Sequence, residues 1–124
     1  MLTRLTGLLT PIALLAALAA VPTATAASSK FCKLSTHEQR SMGPSYVATP
    51  IRVTHMSCAS GKAVVRAFHR CRREHGVLGR CSRRVRGFRC TEKRGTQIPT
   101  ESSGNKVTCR RDRAVVESFW TQLL

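Results

Sequence analysis

The chain has 124 residues with 21 Lys and Arg against 6 Asp and Glu, a formal net charge of +15, and 6 Cys. That length holds one domain with a marginal core, and the charge favours anionic partners while disfavouring basic ones. No Gly-x-Ser-x-Gly elbow, phosphate loop or Cys-x-x-Cys pair occurs, which removes the commonest sequence signatures of hydrolases, nucleotide enzymes and zinc sites.

Met1 to Arg4 carry one cation, and an apolar run from Leu5 to Val21 follows, interrupted by Gly7 and Pro11. The next residues, Pro22-Thr23-Ala24-Thr25-Ala26-Ala27, put Ala24 and Ala26 at the small-residue positions of a cleavage site. The run falls short of the roughly 20 apolar residues a membrane span needs. Residues 1–26 therefore read as a signal peptide, cleaved after Ala26, with no transmembrane segment left in the product. Residues 27–124 form a single small domain of 98 residues with net charge +14. All six cysteines, Cys32, Cys58, Cys71, Cys81, Cys90 and Cys109, lie in that exported part, where an even number reads as three disulfides.

Residues 27–45 are polar and contain the turn Gly43-Pro44-Ser45, so they read as a loosely ordered tail pinned by Cys32. Val47, Ile51, Val53 and Thr54 favour a strand, and the interruption at Pro50 makes it an edge strand or a late-starting one, best between Ile51 and His55. Ser57 or Ser60 caps a helix from Cys58 to His75, stopped by Gly76. Ala63, Val64, Ala67, Phe68 and Cys71 make its apolar stripe; Lys62, Arg66, Arg70 and Arg73 fall on the other side. Val85 to Cys90 reads as a short strand, and Thr91 to Asn105, with Gly95, Pro99 and Gly104, as a mobile loop. Lys106–Arg110 and Ala114–Trp120 form a hairpin across Arg111-Asp112-Arg113, with Val116 and Trp120 inward and Glu117 outward.

The order Val53-Thr54-His55-Met56-Ser57-Cys58, helix, Gly87-Phe88-Arg89-Cys90, Val107-Thr108-Cys109 and a closing apolar strand from Val115 to Phe119 resembles a group of small exported actinobacterial cysteine-framework proteins. The resemblance spans roughly residues 51–120 and implies a fold and an export route, with no activity attached. Cys71, Cys81 and the arginines between them and Arg94 stand outside its pattern.

Six cysteines allow fifteen pairings. Cys71–Cys81 closes a short loop at the helix end and stabilises by about 2.7 kcal/mol on a chain-entropy argument. Cys90–Cys109 across neighbouring strands and Cys32–Cys58 at the tail complete one set, and Cys58–Cys90 with Cys32–Cys109 completes another.

The strongest functional candidate is a basic surface made by Lys62, Arg66, Arg70, Arg73, Arg80, Arg83, Arg84 and Arg86. The planar guanidinium fork meets phosphate or carboxylate bidentately. Few aromatics interleave, so nucleic-acid binding would be unspecific and phosphate-led. Reversing Arg66, Arg70 and Arg73 to Glu is expected to weaken binding while sparing the fold. His69, Cys71 and His75 lack metal-ligand spacing, and export favours disulfides, so no metal or other cofactor is expected. His37, His55, His69 and His75 with Glu38, Glu74 or Glu117 supply the minimum for acid–base chemistry and nothing to fix its geometry. The expectation is an α+β domain, one amphipathic helix packed on a short antiparallel sheet and stapled by disulfides. Its expected function is that of a secreted, non-enzymatic interaction protein for cell-wall polymer, nucleic acid or an acidic protein. The alternatives are a small secreted hydrolase such as a ribonuclease and a cationic membrane-active protein.

Overall fold

The computed structural model describes residues 20–21 and 28–124; the signal-peptide reading falls almost wholly outside the described residues. Alternating burial along the last strand organises everything else. In β7 (Ala114–Leu123), Val116, Ser118, Trp120 and Gln122 are buried, while Phe119 and Leu123 on the other face are exposed. A period of two with one face covered means a single layer rests on one side of the sheet.

That layer is α2 (Cys58–Arg73). Ser57 caps it by accepting the Ser60 backbone N–H at 3.1 Å. Val64, Val65, Phe68 and Cys71 are buried, so the apolar stripe is core. Gly61 is buried where α2 meets the sheet, and a Cβ there would collide with the Val53 side chain. A poor helix former is therefore retained because it allows the close approach.

The sheet is antiparallel throughout, with strand order β1-β3-β7-β6-β4 for β1 (Ser29–Cys32), β3 (Ile51–Thr54), β6 (Glu101–Arg111) and β4 (Arg89–Lys93). Two short strands complete it: β2 (Tyr46–Val47) pairs with β7, and β5 (Thr96–Ile98) pairs with β6. The fold is α+β, a helix on an antiparallel sheet. Its disulfides are Cys32–Cys58, Cys71–Cys81 and Cys90–Cys109, the first of the two sets open from sequence. They tie β1 to α2, α2 to the segment beyond it, and β4 to β6.

Three local expectations need correction, and one left open is decided. Residues 27–45 are not a loose tail: β1 pairs with β3, and α1 (Thr36–Ser41) begins with a capping box between Ser35 and Glu38. The Ile51 strand is the late-starting one of the two readings and not an edge: it begins just after Pro50, and β1 covers its other side. Val85 and Phe88 form only an isolated bridge, since Arg86 and Gly87 turn the chain with φ of 49° and 81°. The supposed loop 91–105 is mostly sheet. Its glycines serve the strands: Gly104, at φ 65°, lies in the bulge between Ser102 and Asn105, and Gly95 packs so tightly on the Ser103 and Gly104 carbonyls that no Cβ fits.

A core this small depends on its cross-links. Replacing Cys71 and Cys81 together by Ser is expected to lower unfolding free energy in urea by about 2.7 kcal/mol. Full reduction is expected to unfold the domain at ambient temperature, observed as loss of near-ultraviolet dichroism from Trp120.

Candidate anion-binding surface

The cations of α2 do not form the open face that their spacing implies. Lys62 Nζ donates to Glu38 Oε1 at 2.8 Å, Arg66 Nε donates to Ser41 Oγ at 3.1 Å, and Arg73 Nη1 donates to the Met42 carbonyl. The line Lys62–Arg66–Arg73 is the seat of α1 and its C-cap, and Arg70 alone of the four stays exposed. The Lys62 hydrogen bond, with help from the Ser35 backbone, holds the Glu38 carboxyl down at about 2. Charge reversal at Arg66 and Arg73 therefore strikes the anchorage of α1, contrary to the expectation that the fold would be spared.

Arg80, Arg83, Arg84 and Arg86 lie together in the segment that Cys71–Cys81 holds to the end of α2 and Val85 pins into the core. All four are exposed. Arg83 meets Glu74 at 2.7 Å and Arg80 meets Glu92 at 3.4 Å, whereas Arg84 and Arg86 have no carboxylate partner among the described residues. Arg84 faces β4 across a groove of about 310 Å³ lined by Ser82, Arg83, Arg84, Arg89 and Thr91. Cys81 and Cys90 also line it, one half-cystine from each of two disulfides. Three guanidiniums and two hydroxyls thus converge on a concavity fixed covalently from both sides, with Glu74 the one acid bonded to any of them. Arg89 belongs to this group, and sequence reading left it out of the site. The Arg86-Gly87 turn that brings it alongside Arg84 was the missed signal.

Across the described residues, 20 Lys and Arg face 6 acids, and six of those cations are held in ion pairs with Glu38, Glu74, Glu92 and Glu117. Fourteen cations are left without a carboxylate partner. Thirteen of them reach solvent at least in part. The other is Arg72.

Arg72 is fully buried. Its Nε donates to His69 Nδ1 at 3.1 Å, Nη1 to the Val77 carbonyl at 2.8 Å, and Nη2 to Ser45 Oγ and to Gln122 Oε1 at 3.2 Å. Its guanidinium carbon stands 3.9 Å from the centre of the Trp120 ring, and that of Arg94 stands 4.9 Å from it. Trp120 Nε1 donates to Glu92 Oε2 at 3.1 Å, and Arg94 donates to the other Glu92 oxygen. Burial pulls Arg72 down to about 10, opposed by the charge of Glu92. Burial, then the charges of Arg72 and Arg73, pull His69 down to about 3. Since Nδ1 accepts from Arg72, the proton of the neutral ring sits on Nε2, which is buried without a partner. Sequence reading counted His69 among catalytic candidates; it is structural, as is Arg72.

The remaining histidines, His37, His55 and His75, are exposed and scattered over α1, the end of β3 and the end of α2. Among the described residues no three His, Cys, Asp or Glu side chains gather as metal ligands, and no helix is long and apolar enough to cross a membrane. No protein-family model, curated protein or solved structure matches the chain.

Two predictions follow from the buried cluster. Between about 6.5 and about 3 the unfolded chain protonates His69 and the folded chain does not, so stability falls as pH is lowered through that window. Glu38 adds to the loss between its ordinary 4.5 and about 2. His69→Gln, which keeps an acceptor for Arg72, is expected to flatten the upper part of that slope in thermal melts taken from pH 7 to 4. Arg72→Lys cannot reproduce the fork and leaves buried acceptors unpaired, so it is expected to cost about 2–4 kcal/mol in urea unfolding.

Proposed function

We propose that the protein is an extracellular, non-enzymatic binding module for anionic polymers, and that the groove between the 80–86 segment and β4 is where they are first engaged. The observation that carries this is the convergence of Arg83, Arg84 and Arg89 on a concavity braced by two disulfides, within a surface rich in unpaired cations. A guanidinium already bonded to a carboxylate has little attraction left for a ligand, whereas Arg84 and Arg89 keep theirs. The three disulfides support an oxidising, extracellular location, since such bonds persist there and are rare in reducing compartments.

Two other readings lose support. A membrane-active helix needs an apolar face to insert, and that of α2 is occupied by the sheet. A small hydrolase needs an accessible acid–base pair; His69 is sealed and the other three histidines lie on separate elements.

Binding should be steep in salt. Titration of the oxidised protein with duplex DNA and with long-chain polyphosphate is expected to show affinity falling as a power of salt concentration, without strand cleavage. The double variant Arg84→Glu with Arg89→Glu is expected to reduce the magnitude of the log–log slope for duplex DNA by about 2 while leaving the melting temperature within a few degrees. Wild-type slope and affinity in that variant would remove the groove from the proposal.

A further inference from the structure

The face of the sheet turned away from α2 carries a second feature that charge alone does not explain. Its outward side chains run in register from β1 to β6: Phe31 is opposite Arg52, Arg52 opposite Glu117, and Phe119 opposite Lys106. Phe31 is 70% exposed and Phe119 is 48% exposed, on a molecule with four Phe in all. Between them lies a hollow of about 240 Å³, lined by these two rings, Pro50, Arg52, Lys106 and Glu117. Two exposed aromatic planes flanking a polar floor are unexpected on a solvated sheet face, where large apolar groups in one patch mark a contact surface.

The floor states what the contact requires. Arg52 Nε donates to Glu117 Oε2 at 2.5 Å, and Lys106 Nζ stands 3.5 Å from Glu117 Oε1. Burial would raise the Glu117 carboxyl, but the hydrogen bonds and charges of Arg52 and Lys106 more than offset it and hold it ionised. The hollow thus offers a fixed carboxylate acceptor beside two cationic donors, between two aromatic rings. A lipid surface would have to desolvate that carboxylate without giving it a donor. A second copy of this strongly basic chain would repel the first. A bare polyphosphate has no apolar face for the rings and no hydroxyl for Glu117. A sugar has both: aliphatic C–H faces that lie on aromatic rings, and hydroxyls that donate to a carboxylate and accept from Arg and Lys.

Charge extends the site toward β4. Lys106 is directly opposite Lys93, and Arg110 directly opposite Arg89, all on the same outer face with Thr91 and Thr108 between the pairs. Like charges opposite one another across a ladder are destabilising by themselves, and an anionic ligand lying over them offsets that cost. Lys106 lines the hollow and Arg89 the groove described above, so the cation pairs of β4 and β6 stand between the two. From strand spacing, Phe31 and Phe119 stand about 12 Å apart, about the reach of a disaccharide.

We infer that the outer sheet face binds an acidic glycan chain, with Phe31 and Phe119 carrying sugar rings over the Arg52–Glu117–Lys106 floor and Lys93, Arg89 and Arg110 holding its anionic groups. This rests on the anionic-polymer reading and names its substrate class.

The test compares polygalacturonate, long-chain polyphosphate and phosphatidylglycerol vesicles against the oxidised full domain at one salt concentration. The wild-type protein is expected to bind polygalacturonate more tightly than polyphosphate at equal charge. Phe119→Ser and Phe31→Ser are each expected to weaken polygalacturonate binding about five-fold and to leave polyphosphate binding unchanged. Phe119→Leu, which keeps apolar volume and loses the flat ring, is expected to behave as Phe119→Ser does, and its melt guards against a folding effect. Equal losses for both polymers, no loss for either, or preference for vesicles would overturn the glycan inference while leaving the anionic-polymer reading in place. Failure of the wild type to bind either polymer would overturn both.

Discussion

Trp120 is the residue around which the rest of the domain is arranged. It sits on β7, the strand that pairs with β2, β3 and β6, and its ring is buried between sheet and helix. Arg72 from α2 and Arg94 from beyond β4 lie over the ring, His69 meets it edge-on at 5.8 Å, and Glu92 accepts a hydrogen bond from the indole N–H. A buried guanidinium is costly unless its donors are satisfied and its charge is stabilised nearby. Arg72 therefore needs Ser45, the Val77 carbonyl, His69 and Gln122 in place together, and each belongs to a different part of the chain. One indole thus gathers the N-terminal segment, both ends of the helix connection and the last strand into a single arrangement.

That arrangement also determines which charges are left for a partner. Glu92, well buried, is engaged with Trp120, Arg94 and Arg80; Glu38 is engaged with Lys62 to seat α1; Glu117 lies between Arg52 and Lys106. The acids are thus placed mainly where the fold uses them. Of the fourteen cations they do not reach, seven (Arg84, Arg86, Arg89, Lys93, Arg110, Arg111 and Arg113) lie on the 80–86 segment, on β4 and β6, and at the β6–β7 turn. These seven lie away from the helix, on or beside elements that two disulfides tie down.

Much of the fold was legible from residue pattern, and the reason is periodicity. Val64, Phe68 and Cys71 repeat as only a packed helix requires, and Val116 and Trp120 alternate as only a half-covered strand does. Ser57 before the helix and Asp112 at the hairpin gave the boundaries. What misled was punctuation. Gly95, Pro99 and Gly104 resemble loop residues, yet they mark a tight crossing, a turn and a bulge inside a long hairpin, which only pairing distinguishes from a loop. Ser35 and Glu38 carried a capping-box signature that a polar neighbourhood concealed. The candidate site was less legible because an arginine's role depends on what it meets. Arg66, Arg70, Arg72 and Arg73 are close in sequence, but one anchors Ser41, one is open, one is buried on Trp120 and one bonds the Met42 carbonyl. No spacing rule separates these fates.

The central claim is that ligand binding belongs to β4, β6 and the 80–86 segment, and not to the basic line on α2. Amide chemical-shift mapping of the labelled, oxidised domain during titration with polygalacturonate tests this most directly. The account predicts shifts concentrated at residues 82–93 and 106–110, extending to Phe31 and Phe119, with the amides of α1 and of residues 60–70 unmoved. Shifts centred on α1 and α2, or uniformly small shifts across the domain at saturation, would contradict it.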